Sequence, residues 1–205
     1  MQQFNFRVMR KLLFAVIVAA AFVGCSQSQQ KSVDINSVLV EHNKQVHKVF
    51  DYLRGRDDGS LLIDSIADKF NMKFEFAEAE PLRTFKQFKN TVDYDDISIN
   101  TFLNFDADTL NMIVFNVRTI GKEKYNNFVS LYNTIDSIYK NDSEYTHNEL
   151  LDFWMTRKTD KYVCLFKPTA DNDTVYISVP IMPLNEQLLK QMEETYKRDL
   201  ANSNK

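Results

Sequence analysis

Two tetrads in this chain share the pattern Asp-x-Asp-Thr: Asp106-Ala107-Asp108-Thr109 and Asp171-Asn172-Asp173-Thr174. Closely spaced carboxylates are the donors of calcium loops, but an EF-hand loop also needs Gly at its sixth position and Glu at its twelfth. Counted from Asp106, those positions hold Asn111 and Val117; counted from Asp171, they hold Tyr176 and Met182. Both loops fail, and no metal is expected. Asp and Asn also favour tight turns, because their side chains bond nearby backbone groups and tolerate left-handed conformations. Asp93-Tyr94-Asp95-Asp96 is a third acidic cluster. As a general acid/base pair it would need carboxyls held in unlike environments, so a solvated loop ahead of a strand is the expectation.

The three histidines are His42, His47 and His147. Five residues apart on a helix, His42 and His47 point about 140° apart and share a metal poorly. His147 is the second residue of Thr146-His147-Asn148-Glu149, which has capping-box spacing. The chain contains no H-E-x-x-H, no G-x-S-x-G elbow, no G-x-G-x-x-G and no P-loop. The expectation is therefore a non-enzyme. An atypical hydrolase remains as an alternative, one that would bring His147 or Asp93–Asp96 beside a nucleophile. Cys164 lies in a strand-like run without a CxxC partner and reads as a buried small hydrophobe.

The elements that would position these residues follow from apolar spacing. Ile35, Val38, Leu39, Val46, Val49, Phe50 and Leu53 recur every three or four residues, predicting a helix over 34–54 with Asp34 as cap and Gly55 as stop. Ser60 caps a second helix carrying Leu61, Leu62, Ile63, Ile66 and Phe70, and Phe74-Glu75-Phe76 is a short strand. Residues 79–95 read as a loop or short helix, with Pro81 and scattered Phe85 and Phe88.

Period-two alternation at Ile97, Ile99, Leu103 and Phe105, then at Ile113, Phe115 and Val117, predicts a hairpin turning at 106–109. A helix over 122–140 carries Tyr125, Phe128, Val129, Tyr132, Ile135 and Tyr139, and a short helix opens at Thr146 with Leu150, Leu151, Phe153 and Trp154. A second hairpin spans Tyr162 to Pro180, and Pro183 begins a last helix with Leu184, Leu188, Met192 and Tyr196 on one face. The fold class is α+β: a mostly antiparallel sheet built from two hairpins, packed with about five helices.

The amino terminus has a different grammar. Arg7, Arg10 and Lys11 precede an apolar run, and Leu12 to Gly24 is 13 residues. That is short of the roughly 20 needed to span a bilayer as a helix, and it suits the apolar region of a secretory signal. Phe22-Val23-Gly24-Cys25 then reads as a lipobox, with Phe22 where Leu is usual. This resembles the signal of bacterial lipoproteins, and the Asn-, Lys- and Phe-rich chain looks like envelope lipoproteins of Bacteroidota. The resemblance implies cleavage between Gly24 and Cys25 and a diacylglycerol and N-acyl lipid on Cys25. It implies residence at the outer membrane, with no other cofactor.

Residues 26–32 are polar and read as a flexible tether. In the similar lipoproteins, surface export tends to need acidic residues after the Cys. This tether has none, so a periplasm-facing anchor is expected over cell-surface display. The organisation is then a signal over 1–24, a lipidated tether over 25–32, one domain over 33–200 and a disordered tail over 201–205.

Without its three signal cations the chain keeps 22 Lys+Arg against 28 Asp+Glu, a formal −6. Nucleic-acid partners usually need a basic face, so none is expected. With Cys25 acylated, Cys164 has no partner for an internal disulfide. The function expected is an interaction or assembly component of the envelope, with an envelope protein as partner. The alternative is a small-ligand or glycan binder with a pocket lined by Tyr and Phe.

Overall fold

The computed structural model describes residues 33–56, 62–77 and 86–203. Gly24, Cys25 and the rest of the expected signal and tether lie outside them, as do Ser60, Leu61, Pro81, Phe85 and residues 204–205. Asp34–Lys205 forms one compact unit.

Helix α1 spans Ile35–Leu53. Asp34 caps it as expected, accepting from the Asn36 N–H at 3.1 Å and the Ser37 hydroxyl at 2.6 Å. Its buried face is Leu39, His42, Asn43, Val46, Val49, Phe50 and Leu53, so two polar residues fill the gap between Leu39 and Val46. Helix α2, Ile63–Phe70, buries Ile63 and Ile66 and ends on Asn71 in a left-handed conformation. A 3-10 turn at Lys122–Lys124 leads into α3, Tyr125–Lys140, which buries Phe128, Leu131, Ile135 and Tyr139. Tyr125 and Val129, expected in the stripe, are exposed, and Leu131 takes their place.

The strands are β1 Glu75–Ala77, β2 Lys86–Tyr94, β3 Ile97–Asp106, β4 Thr109–Ile120, β5 Thr146–Asn148, β6 Phe153–Thr156, β7 Lys161–Val163, β8 Thr169–Asp171 and β9 Thr174–Pro183. They form one sheet in the order β1-β2-β3-β4-β9-β7-β6-β5, with β8 pairing β9, and every pairing is antiparallel. The described residues thus hold four α-helices and nine strands, α+β as expected but larger than two hairpins and with one helix fewer.

Three differences have local causes. Residues 86–94 are a full strand because Phe88, Val92 and Tyr94 do alternate; Asn90 interrupts the pattern at a core-facing position, donating to the Lys73 carbonyl at 2.7 Å. The expected helix at Thr146 is a hairpin instead. Asn148 Oδ1 accepts from the Leu150 and Leu151 N–H groups at 3.1 and 3.0 Å, making a side-chain turn rather than a helix cap. Pro183 closes β9, and the last helix, α4 (Glu186–Ser203), starts three residues later under an Asn185 cap. Residues 201–203 of the expected tail are its last residues.

Strand β7 stops at Val163 for a reason written in β9. Cys164 donates to the Pro180 carbonyl at 3.1 Å, but Pro180 has no N–H to return the bond. The chain then keeps contact through Phe166, which donates to the Ser178 carbonyl at 3.1 Å, until β8 resumes regular pairing.

Helices α1, α2 and α3 cover one face of the sheet. The interface is filled by Ile99, Leu103, Phe105, Ile113, Phe115, Val117, Val175, Ile177, Val179 and Ile181 from the strands, all fully buried. Each such side chain contributes about 1.5–3 kcal/mol on burial. Contacts between α1 and α3 advance in step, Asn36 with Thr134 and then Asn43 and His47 with Tyr139, so the two helices run in the same direction, and His47 also meets Tyr145 beyond the end of α3. Among the described residues the other face carries one small second cluster, in which Leu189 of α4 joins Phe153 and Tyr162, flanked by Leu151, Met155, Cys164, Met182 and Leu184.

Candidate functional site

Among the described residues α4 lies over the β5–β7 end of that second face only, and β2, β3, β4 and β9 make up the rest of it. Register fixes what it displays. One row across the sheet is Thr91, Asn100, Asn116 and Ser178; the next is Asp93, Ser98, Arg118 and Tyr176; a third is Lys89, Phe102, Val114 and Pro180. The amides are tied to neighbours: Thr91 donates to Asn100 at 2.9 Å and Gln87 to Asn104 at 2.8 Å. Asn116 Oδ1 is buried with no partner among the described residues. Tyr176 is exposed here, and Phe166, opposite Ser178 by its backbone bond, is exposed too.

At the rim of this face, around the β2–β3 turn, is a pocket of about 370 Å³ lined by Asp95, Asp96, Ser98, Arg118, Ile120 and Lys124, among others. This is where the Asp93–Asp96 cluster lies, and the structure gives two of its carboxylates a local task. Asp93 accepts from Ser98 at 2.5 Å, and Asp96 pairs with Lys124. That hydrogen bond and charge hold the Asp96 carboxyl below the usual carboxylate range. Arg118, by contrast, has no ion-pair or hydrogen-bond partner among the described residues. The pocket therefore offers one free guanidinium beside an exposed Ile120.

The histidines go to different places. His42 Nε2 meets the Thr101 hydroxyl at 2.9 Å beneath the sheet, edge-on to Phe115. His47 stands in a chain of hydrogen bonds. Tyr139 donates to Asn43 at 2.5 Å, so its oxygen accepts from His47 Nε2 at 3.2 Å, and His47 Nδ1 accepts from Tyr145 at 3.3 Å. Burial pushes the His42 ring down to about 4. Burial and then the nearby Lys161 ammonium push His47 down to about 3. Lys161 itself is only 5% exposed and pairs with both oxygens of Asp51 at 3.2 Å.

His147 lies on β5, bonded to Asp152 at 3.1 Å and tilted at 50° against Trp154, whose indole N–H donates to Asp136 at 2.9 Å. Five strands stand between β5 and β2. At about 4.8 Å per strand, His147 and the Asp93–Asp96 cluster are far beyond hydrogen-bond reach of one another. Among the described residues no group of three or more His, Cys, Asp or Glu is arranged to hold a metal. Cys164 is half-buried beside Met182, and burial pushes its thiol up to about 11. Phe88 packs edge-on against Phe105 at the margin of the core, and Tyr94 packs there as well.

A row of exposed apolar side chains runs along α4. Leu188, Met192, Tyr196 and Leu200, 37–50% exposed, recur every four residues along it. The sequence predicts packing for the first three; in the structure they stand open, and only Leu189 is buried. An open groove of about 450 Å³ runs between this stripe and Leu151 of the β5–β6 turn. No described helix is long and apolar enough to cross a membrane. The chain matches no family model, no curated protein and no solved structure.

Proposed function

We propose that this protein is a lipid-anchored, non-catalytic component of a bacterial envelope, held at the outer membrane through Cys25, facing the periplasm and acting by contact with another protein. The lipobox resemblance at Phe22-Val23-Gly24-Cys25 supports the anchor. The observation that carries the contact role is the stripe of Leu188, Met192, Tyr196 and Leu200 standing uncovered on α4. Contiguous exposed apolar side chains of this size are characteristic of interaction surfaces.

Two measurements test the reading. Metabolic labelling with a clickable fatty acid is expected to mark the wild-type chain and not Cys25→Ala; label retained by Cys25→Ala removes the anchor. A photoreactive residue at position 196 is expected to give a discrete protein adduct, while one at exposed Lys167 gives far less. Adducts equal at both positions remove the contact role.

A second reading, as a small-ligand or glycan binder, is favoured by the rim pocket with its unpartnered Arg118. The interface between helices and sheet is packed with buried apolar side chains. A ligand would therefore sit at the rim, and an Arg118→Ala chain is expected to lose any thermal shift that a bound carboxylate or sugar acid gives the wild type. A shift unchanged by Arg118→Ala would rule out the rim as its site.

A further inference from the structure

We propose that residues 141–147 form an acid-released flap running from the end of α3 into β5. A second proton on the His47 ring breaks its bond to Tyr145, and the flap lifts while the sheet stays folded.

The neutral ring has both nitrogens in use. Its Nε2–H donates to Tyr139, whose own hydroxyl donates to Asn43, and its Nδ1 accepts from Tyr145. A neutral imidazole has one donor and one acceptor, so nothing is left over. A proton on Nδ1 turns that acceptor into a donor aimed at a hydroxyl hydrogen. Among the described residues no carboxylate bonds either nitrogen to balance the new charge.

The groups around the ring do not supply that balance either. Asp51, one turn along α1, is engaged by the buried Lys161 of β7, and the Lys161 ammonium itself opposes a second cation. Burial keeps the Tyr139 and Tyr145 hydroxyls neutral, pushing both above the usual tyrosine range. Asp142 and Glu144 act on Tyr145, and Glu144 pairs with Lys158.

Which partner yields depends on what it is attached to. Tyr139 is 1% exposed on a packed helix. Tyr145 is half-buried, and it is the one residue of 141–147 that is not exposed. Strand β5 beyond it is three residues long, last in the sheet order and paired with β6 alone. Lifting Tyr145 therefore admits water to Nδ1 by moving one short turn and the edge of the sheet. His42 has no such exit. Its partner Thr101 belongs to β3, which has a strand on either side, so water reaches that ring only if α1 leaves the sheet.

The two routes differ in their dependence on pH. The closed His47 ring is held at about 3, and a water-exposed ring titrates near 6.5. Below that pH the open flap binds a proton that the closed one refuses, so opening gains about tenfold per unit. Global unfolding exposes both rings and gains up to about a hundredfold per unit.

Amide hydrogen exchange of the full chain between pH 7 and 4, expressed as protection factors, separates them. Residues 142–147 are expected to lose protection about tenfold per unit below pH 6.5, while staying less protected than β3 and β4 throughout. His42→Gln is expected to leave that slope unchanged, and His47→Gln to flatten it. Tyr145→Phe keeps the ring and drops its hydroxyl. It is expected to lower protection of 142–147 roughly three- to tenfold at pH 7 and to leave β3 and β4 as they are. Residues 142–147 exchanging only together with β3 and β4, at the same slope, would mean that there is no flap. A slope that persists in His47→Gln assigns the release to another group and overturns the proposal as well.

Discussion

Single residues in this molecule carry their strain and charge at identifiable places. Ala107 opens the β3–β4 turn at φ 54, in the left-handed region where a Cβ is unfavourable. The equivalent residue of the other Asp-x-Asp-Thr turn is Asn172, which tolerates φ 49 better. Ala107→Gly is expected to stabilise the fold by about 0.5–1 kcal/mol, read as a raised urea midpoint. His42 and His47 set the acid limit. Held at about 4 and about 3 when folded, they titrate near 6.5 in the unfolded chain. Below pH 6.5 the unfolded state binds protons that the folded state refuses. Stability present above that pH is therefore lost as pH falls, by up to about 1.4 kcal/mol per unit for each ring. Urea titrations across that range should show the slope, and His47→Gln should reduce it by about half. An unaltered slope in that variant would mean that His47 is not held neutral by burial.

At the scale of elements, the helices are easier to read than the strands. The spacing of α1 stands clear in the sequence because seven apolar residues repeat at three and four, and its Asp34 cap and Gly55 stop agree with the structure. Its two polar members, His42 and Asn43, are legible only as a gap in the stripe. Strand β2 is hidden because Asn90 occupies a core position that only its bond to the Lys73 carbonyl makes acceptable. Strands β5 and β6 read as a helix because Thr-x-x-Glu spacing is shared by caps and turns; Asn148 decides between them through two short-range bonds.

Helix α4 illustrates the opposite error. Its periodicity is real, but periodicity shows only that a face is apolar, not that anything covers it. With Leu189 as its one buried residue, Leu189→Ala is expected to cost about 2–3 kcal/mol. Hydrogen exchange should show the loss locally: residues 186–203 lose protection while β3 and β4 keep theirs. Uniform loss across the molecule would mean that α4 is integral to the core.

On the scale of the whole molecule, a nine-stranded antiparallel sheet is covered by three helices on one side and by the first half of a fourth on the other. The second face carries a set of tied amides, a rim pocket around Arg118 and an exposed helix arm. The loss of the arm is accordingly expected to spare the fold. A chain ending after Asn185 should keep the core's hydrogen-exchange protection and its acid sensitivity. Global unfolding of that chain would show that the arm is needed to seal Phe153 and Tyr162.

The sequence by itself determined the α+β class, the α1 and α3 helices, and the two Asp-x-Asp-Thr turns, because these depend on spacing and on bonds within a few residues. It also supplied the reading of Cys25 as a lipid anchor, which is a local pattern. Tertiary structure alone decided that His42 and His47 serve separate hydrogen bonds, that Asp93 and Asp96 are engaged by Ser98 and Lys124, and that Arg118 has no partner among the described residues. It alone decided that the face of α4 runs past the sheet it docks on. These depend on which strands become neighbours. Strand order is set by packing between segments far apart in the chain, which no local spacing records.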